Sequence, residues 1–175
     1  MPDDVLYAMF IHHETAVALD FVSAAARLAN LARGDGLLTA SRTAYEDGVT
    51  GLMAVGPAPG LSRLVRVQIG ELAYPAGAAS LPVRWHVEGA GERLFPALDA
   101  DIRVLPADEV TMLRLDGVYR APLGPAGAVI DRAVLHAVAT ATVHRFLEQV
   151  SGLIAPSPGG AGRPAGQLRP EPGTA

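Results

Sequence analysis

Cysteine and lysine are both absent from this chain, aromatic residues make up only 5% of it, and no long uninterrupted apolar run occurs. Without cysteine there is no disulfide, no thiolate metal site and no thiol nucleophile, a composition that fits a cytoplasmic address. Every one of the 14 basic residues is an Arg, scattered singly in a chain of net charge -4, so no basic stripe exists to neutralise a row of phosphates. Nucleic acid is therefore excluded as a partner. No apolar run approaches the roughly 18 residues of a membrane span, and the opening MPDDVLYAMF is acidic where an export signal would be positive. The sequence reads as that of a soluble, unexported protein.

What is present is ample material for one core. Half of the 175 residues are apolar and only 18% are charged. A chain of this length fits a single domain, since domains split only beyond roughly 250 residues. Residues 156–175 are almost entirely Pro, Gly, Ala, Ser and Arg and carry no apolar stripe to offset the entropy of ordering. The expectation is a domain over 1–155 followed by a disordered tail.

The pattern along the chain starts with an apolar run, Val5 to Ile11, of strand length, ending in His12, His13 and Glu14. From Ala18 the apolar residues Leu19, Val22, Ala26, Leu28 and Leu31 recur at helical spacing as far as Gly34. A second short helix is predicted from Leu37 to Tyr45, stopped by Gly48. A strand over Gly51–Val55 and a turn at Pro57–Gly60 should follow. Strict alternation then sets in. Val65, Val67 and Ile69 oppose Arg66 and Gln68, and after a turn at Tyr74–Ser80, Val83, Trp85 and Val87 oppose Arg84, His86 and Glu88. Leu98, Ala100, Ile102 and Val104 oppose Asp99, Asp101 and Arg103, and a last strand, with less clean alternation, runs from Val110 to Arg120. A two-residue period of this kind makes an antiparallel meander with one dry and one wet face. From Gly127 to Ile154 the period is helical, with Leu135, Ala139, Val143, Phe146, Val150 and Leu153 in one stripe. The fold class is α+β.

The segment LRLDGVYRAPLGPAGAVIDRAVLHAVATATVHRFLEQV resembles the last strand, connection and closing helix of the START/Bet v 1-like helix-grip superfamily, also called the SRPBCC or polyketide cyclase/dehydrase and lipid-transport group. The matching residues are Gly117, Tyr119, Pro122, Gly124, Gly127 and Asp131, and RLFPALDADIRV at Arg93 to Val104 resembles an actinobacterial branch. The resemblance implies a curved antiparallel sheet wrapped around a long C-terminal helix, with two short helices after the first strand and an apolar cavity inside. It implies binding or transport of a small hydrophobic molecule. The alternatives are a cyclase or dehydratase acting on a polyketide-like substrate, with Tyr119 or His86 moving protons, and an interaction module or homodimer without ligand.

Chemistry-bearing residues are few. No GxSxG, HExxH, P-loop or GxGxxG occurs, so no catalytic residue is assigned. His12 and Glu14 share one face of the first strand while His13 points to the other, and two ligands leave a metal site incomplete. Polar residues at a strand end, near the sheet rim, are the simpler reading. Asp99 and Asp101 lie about 6.7 Å apart on the wet face, where Arg66 and Arg84 suit cross-strand pairing. His144 and Glu148, four apart on the last helix, suit a solvated pair. No His/His/carboxylate set is visible, and neither a metal nor a cofactor is expected. Trp85, Phe95, Ile102 and Tyr119 remain as ligand-contact residues. A buried Tyr119 phenol needs a hydrogen-bond partner, either a polar ligand atom or backbone near Pro122.

Overall fold

The computed structural model describes residues 8–55, 65–89, 92, 95–108, 110–121 and 132–155. Strand β1 (Ala8–Val17) is followed by helices α1 (Phe21–Arg33) and α2 (Gly36–Val55). Strands β2 (Val65–Ile69), β3 (Ala79–Val87), β4 (Ala97–Pro106) and β5 (Thr111–Arg120) come next, and helix α3 (Arg132–Ile154) closes the fold. The strands form one antiparallel sheet in the order β1-β5-β4-β3-β2. Successive strands from β2 to β5 pair as neighbours, and β1 joins the far side of β5. The long last helix packs on the inner face, its Phe146 ring edge-on to Trp85 at a centroid distance of 5.1 Å. This is the helix-grip arrangement.

Alternation places the side chains as expected on β3 and β4. Leu81, Val83, Trp85, Val87, Leu98, Ala100, Ile102 and Val104 are buried, while Arg84, Asp99 and Arg103 are exposed. Strand β1 departs from expectation by running through His12, His13 and Glu14 to Val17, in register with β5 from Ala8↔Arg120 to Val17↔Thr111. These three polar residues thus sit in the middle of a strand and not at its rim.

Helix α2 is the larger correction. It is one helix of 20 residues that includes the expected Gly51–Val55 strand, and Gly48 lies inside it. These glycines are contact points. A Cβ at Gly48 would lie 2.8 Å from Thr142 Oγ1, and one at Gly51 would lie 3.3 Å from Val138 Cγ1. Glycine lets α2 approach α3 closely, at some cost in helix propensity. The expected stripes shift as well. Val22 is exposed while Ala24, Ala25 and Leu28 are buried, and on α3 Leu153 is exposed while Leu147 and Ile154 are buried.

Local chemistry fixes the helix ends. The Asp20 carboxylate accepts from the Ser23 N–H at 2.9 Å, capping α1. Arg27 Nη1 donates to the carbonyls of Ile154 and Ala155 at 3.0 Å each, tying α1 to the C-terminal end of α3, where unpaired carbonyls favour a cation. The Pro57–Gly60 turn, the Pro122–Asp131 connection and the 156–175 tail lie outside the described residues.

Candidate functional site

Four of the interior contacts run in register across the whole sheet. Met9 faces Tyr119, Tyr119 faces Leu98, Leu98 faces Trp85 and Trp85 faces Val67. Trp85 and Tyr119 therefore lie two strands apart, about 10 Å at the usual interstrand spacing. Phe95 is buried just ahead of β4, and α3 supplies Phe146 from above. Ile102 is buried too, but four residues along β4 from Leu98, or about 13 Å, in a different row with Leu115 and Leu81. The structure thus gathers Trp85, Phe95 and Tyr119 at one end of the interior and leaves Ile102 toward the other.

Between those rows the sheet carries its smallest residues. Gly117 pairs with Ala100, and a Cβ built on Gly117 would come 2.4 Å from Ala100 Cβ and 2.6 Å from the Asp99 carbonyl oxygen. Only glycine permits this approach.

Tyr119 Oη, Tyr45 Oη and Trp85 Nε1 are buried and make no hydrogen bond among the described residues. Burial pushes the Tyr45 phenol up to about 12, and burial together with the nearby Tyr45 pushes Tyr119 higher still. Both are neutral phenols at neutral pH, able to donate a hydrogen bond and ill suited to act as bases. Tyr45 lies outside the expected contact set, since Gly48 predicts an early end to its helix. In the observed α2 it points inward from mid-helix. The recurrence of Leu37, Ala40, Ala44, Gly48 and Leu52 at three- and four-residue spacing, all buried, is the sequence signal of the longer helix.

A second cluster lies where β1 meets α3. His13 points inward, and its ring lies 4.3 Å from that of His144 at an interplanar angle of 61°. Its Nε2 is 3.9 Å from Glu148 Oε1 and otherwise unpartnered. One donor atom from each of His13, His144 and Glu148 falls within 4.8 Å of the others. Burial first, and then His144, lowers the pKa of His13 from its ordinary value, with Glu148 opposing. No His/His/carboxylate set is visible from the sequence; the fold brings these three side chains together. Strand parity had already put His13 on the opposite face from His12 and Glu14, and that face is the one α3 covers.

The outward residues pair with one another instead. His12 Nδ1 lies 2.6 Å from Asp116, Arg114 contacts Glu14 at 3.1 Å, and Arg84 donates to Asp99 at 2.8 Å. Cross-strand pairing of Asp99 is as expected. Arg66 pairs with Glu88 at 2.6 Å.

No family model matches the sequence, and no curated protein matches it. Among solved structures, a hypothetical protein of Helicobacter pylori is similar over 82% of this chain and 86% of its own, at 12% identity and a TM-score of 0.48. Norcoclaurine synthase of Thalictrum flavum, in complex with dopamine and hydroxybenzaldehyde, is similar over 84% and 86%, at 11% identity and 0.41. A conserved protein from Geobacillus kaustophilus is similar over 82% and 93%, at 15% identity and 0.41. Likenesses this distant say nothing of what the chain does. Among the described residues, no helix is long and apolar enough to cross a membrane.

Proposed function

We propose that this protein binds a small, largely hydrophobic molecule bearing at least one hydrogen-bond acceptor, held in the interior beside Trp85, Phe95 and Tyr119. One observation carries the reading: three ring donors, on Tyr45, Trp85 and Tyr119, are buried without a partner among the described residues. Buried donors in a filled core are satisfied in more than about nine cases in ten, and each orphan costs about 1–3 kcal/mol. Three together in an otherwise apolar interior suit a ligand that brings its own acceptors. The surrounding side chains, Leu98, Val83, Val87 and Phe146, supply the apolar walls. Ile102 belongs to the far end of the same interior, within reach of a longer ligand.

Trp85 is the only tryptophan of the chain, so its emission reports on this site without labelling. Titration with small apolar carbonyl compounds and fatty acids should shift or quench that emission saturably. Tyr119→Phe should weaken binding by the worth of one hydrogen bond, about 0.5–1.5 kcal/mol, or roughly 2- to 12-fold. An emission unmoved across the panel, or an affinity unchanged by both Tyr119→Phe and Tyr45→Phe, would refute the reading.

A further inference from the structure

We propose that His13, His144 and Glu148 form a binding site for a borderline divalent transition ion of the zinc class, clasping strand β1 to helix α3. Residues 144 and 148 lie one turn apart on one face of α3, so their side chains stack along the helix. The strand supplies the third group: His13 is held inward by the β1–β5 register, in which it faces Leu115. Three donor atoms from two elements thus converge within 4.8 Å. In a tetrahedral site with bonds of about 2.0–2.1 Å the ligand atoms stand roughly 3.4 Å apart, so closure requires shifts of at most about 1.4 Å. His144 and Glu148 are exposed and free to make that shift, while His13 is the half-buried anchor.

The donor set selects the ion. Two imidazoles and one carboxylate suit zinc and its neighbours, whereas calcium and magnesium prefer all-oxygen cages. The buried Nε2 of His13, which makes no hydrogen bond among the described residues and has Glu148 Oε1 at 3.9 Å, is the group that a metal would satisfy. Three protein ligands leave a fourth position, and the exposure of His144 and Glu148 opens it to solvent, where a water or a small anion would complete the shell. The outer-face trio of His12, Glu14 and Asp116 offers a built-in control, since His12 Nδ1 is already engaged by Asp116 at 2.6 Å.

The test is calorimetric titration of Zn2+ into the untagged full chain after chelator treatment, beside His13→Gln, His144→Gln, Glu148→Gln and His12→Gln variants. Even the loss of an outer-shell partner costs metal sites about 10- to 100-fold in affinity, so each of the first three should weaken binding by roughly tenfold or more. His12→Gln should leave it unchanged. Tetrahedral Co2+ should show visible d–d bands in the wild type that disappear in Glu148→Gln, an exposed position whose replacement leaves the fold intact by circular dichroism. Absence of saturable one-to-one Zn2+ binding by the folded wild type would overturn the proposal. So would equal affinity in a folded His144→Gln/Glu148→Gln double variant.

Discussion

The two faces of the sheet treat polarity in opposite ways. On the outer face, Arg84 meets Asp99, Arg114 meets Glu14, His12 meets Asp116 and Arg66 meets Glu88, each pair exposed to water. On the inner face and the helices above it, His13 Nε2, Tyr45 Oη, Trp85 Nε1 and Tyr119 Oη are sequestered with no hydrogen-bond partner among the described residues. Exposed pairs contribute about 0–1 kcal/mol, whereas each buried orphan costs about 1–3 kcal/mol. Among the described residues the outer face thus pairs its charges, whereas inside the buried Thr111 and Thr142 hydroxyls find carbonyls and these four atoms do not. Such a pattern is expected of an interior organised around a guest.

The largest effect should come from filling the tightest point of the inner face. Gly117→Ala places a methyl group against Ala100 and the Asp99 carbonyl, backbone and short side-chain atoms that cannot move aside. It should destabilise the fold by about 3 kcal/mol, the upper end of overpacking costs, in urea unfolding followed by far-UV dichroism. A smaller effect of opposite sign is expected from Tyr119→Phe in the ligand-free protein. Removing an unsatisfied buried hydroxyl should raise stability by about 1–3 kcal/mol, while a satisfied hydroxyl would make the same change destabilising.

Alkaline unfolding gives a third, graded readout. Tyr45 and Tyr119 hold their protons in the folded state to higher pH than in the unfolded chain, where tyrosine ionises near 10. Above that pH the unfolded state has lost protons that the folded state retains. Stability therefore falls as pH rises, by up to about 1.4 kcal/mol per pH unit for each tyrosine. The contribution is intact below about pH 10, and Tyr45→Phe should remove one tyrosine's share of the slope. The smallest effect belongs to the outer face: a double-mutant cycle on Arg84 and Asp99 should give a coupling of about 0.2–1 kcal/mol that fades with salt.

How much of this was legible in the sequence follows from which physical signal each region carries. Strands β3 and β4 alternate because one face is dry and the other wet, and their burial follows that pattern from Leu81 to Val87 and along β4, with only Ser80 at the start of β3 buried against it. Trp85 could be placed inside on that parity, whereas Tyr119 stands on β5, whose alternation is less clean, and was singled out by the resemblance. Strand β1 carries His13 and Thr15 on its inner face, so its apolar signal fades after Ile11 although pairing with β5 continues to Val17. Helix α2 was cut short because glycine marks helix ends from sequence, whereas Gly48 and Gly51 answer to Thr142 and Val138 on a partner helix about ninety residues away. The missed Tyr45 follows from that cut. The His13 cluster joins residues more than 130 positions apart, a juxtaposition that no local period encodes.

Native mass spectrometry of the protein purified gently from cells tests the guest most directly. The account predicts a population heavier than the bare chain by one small apolar molecule, released on denaturation and reduced in a folded Trp85→Leu variant. A protein that flies at its bare mass and also fails to take up any apolar compound added in excess would contradict it.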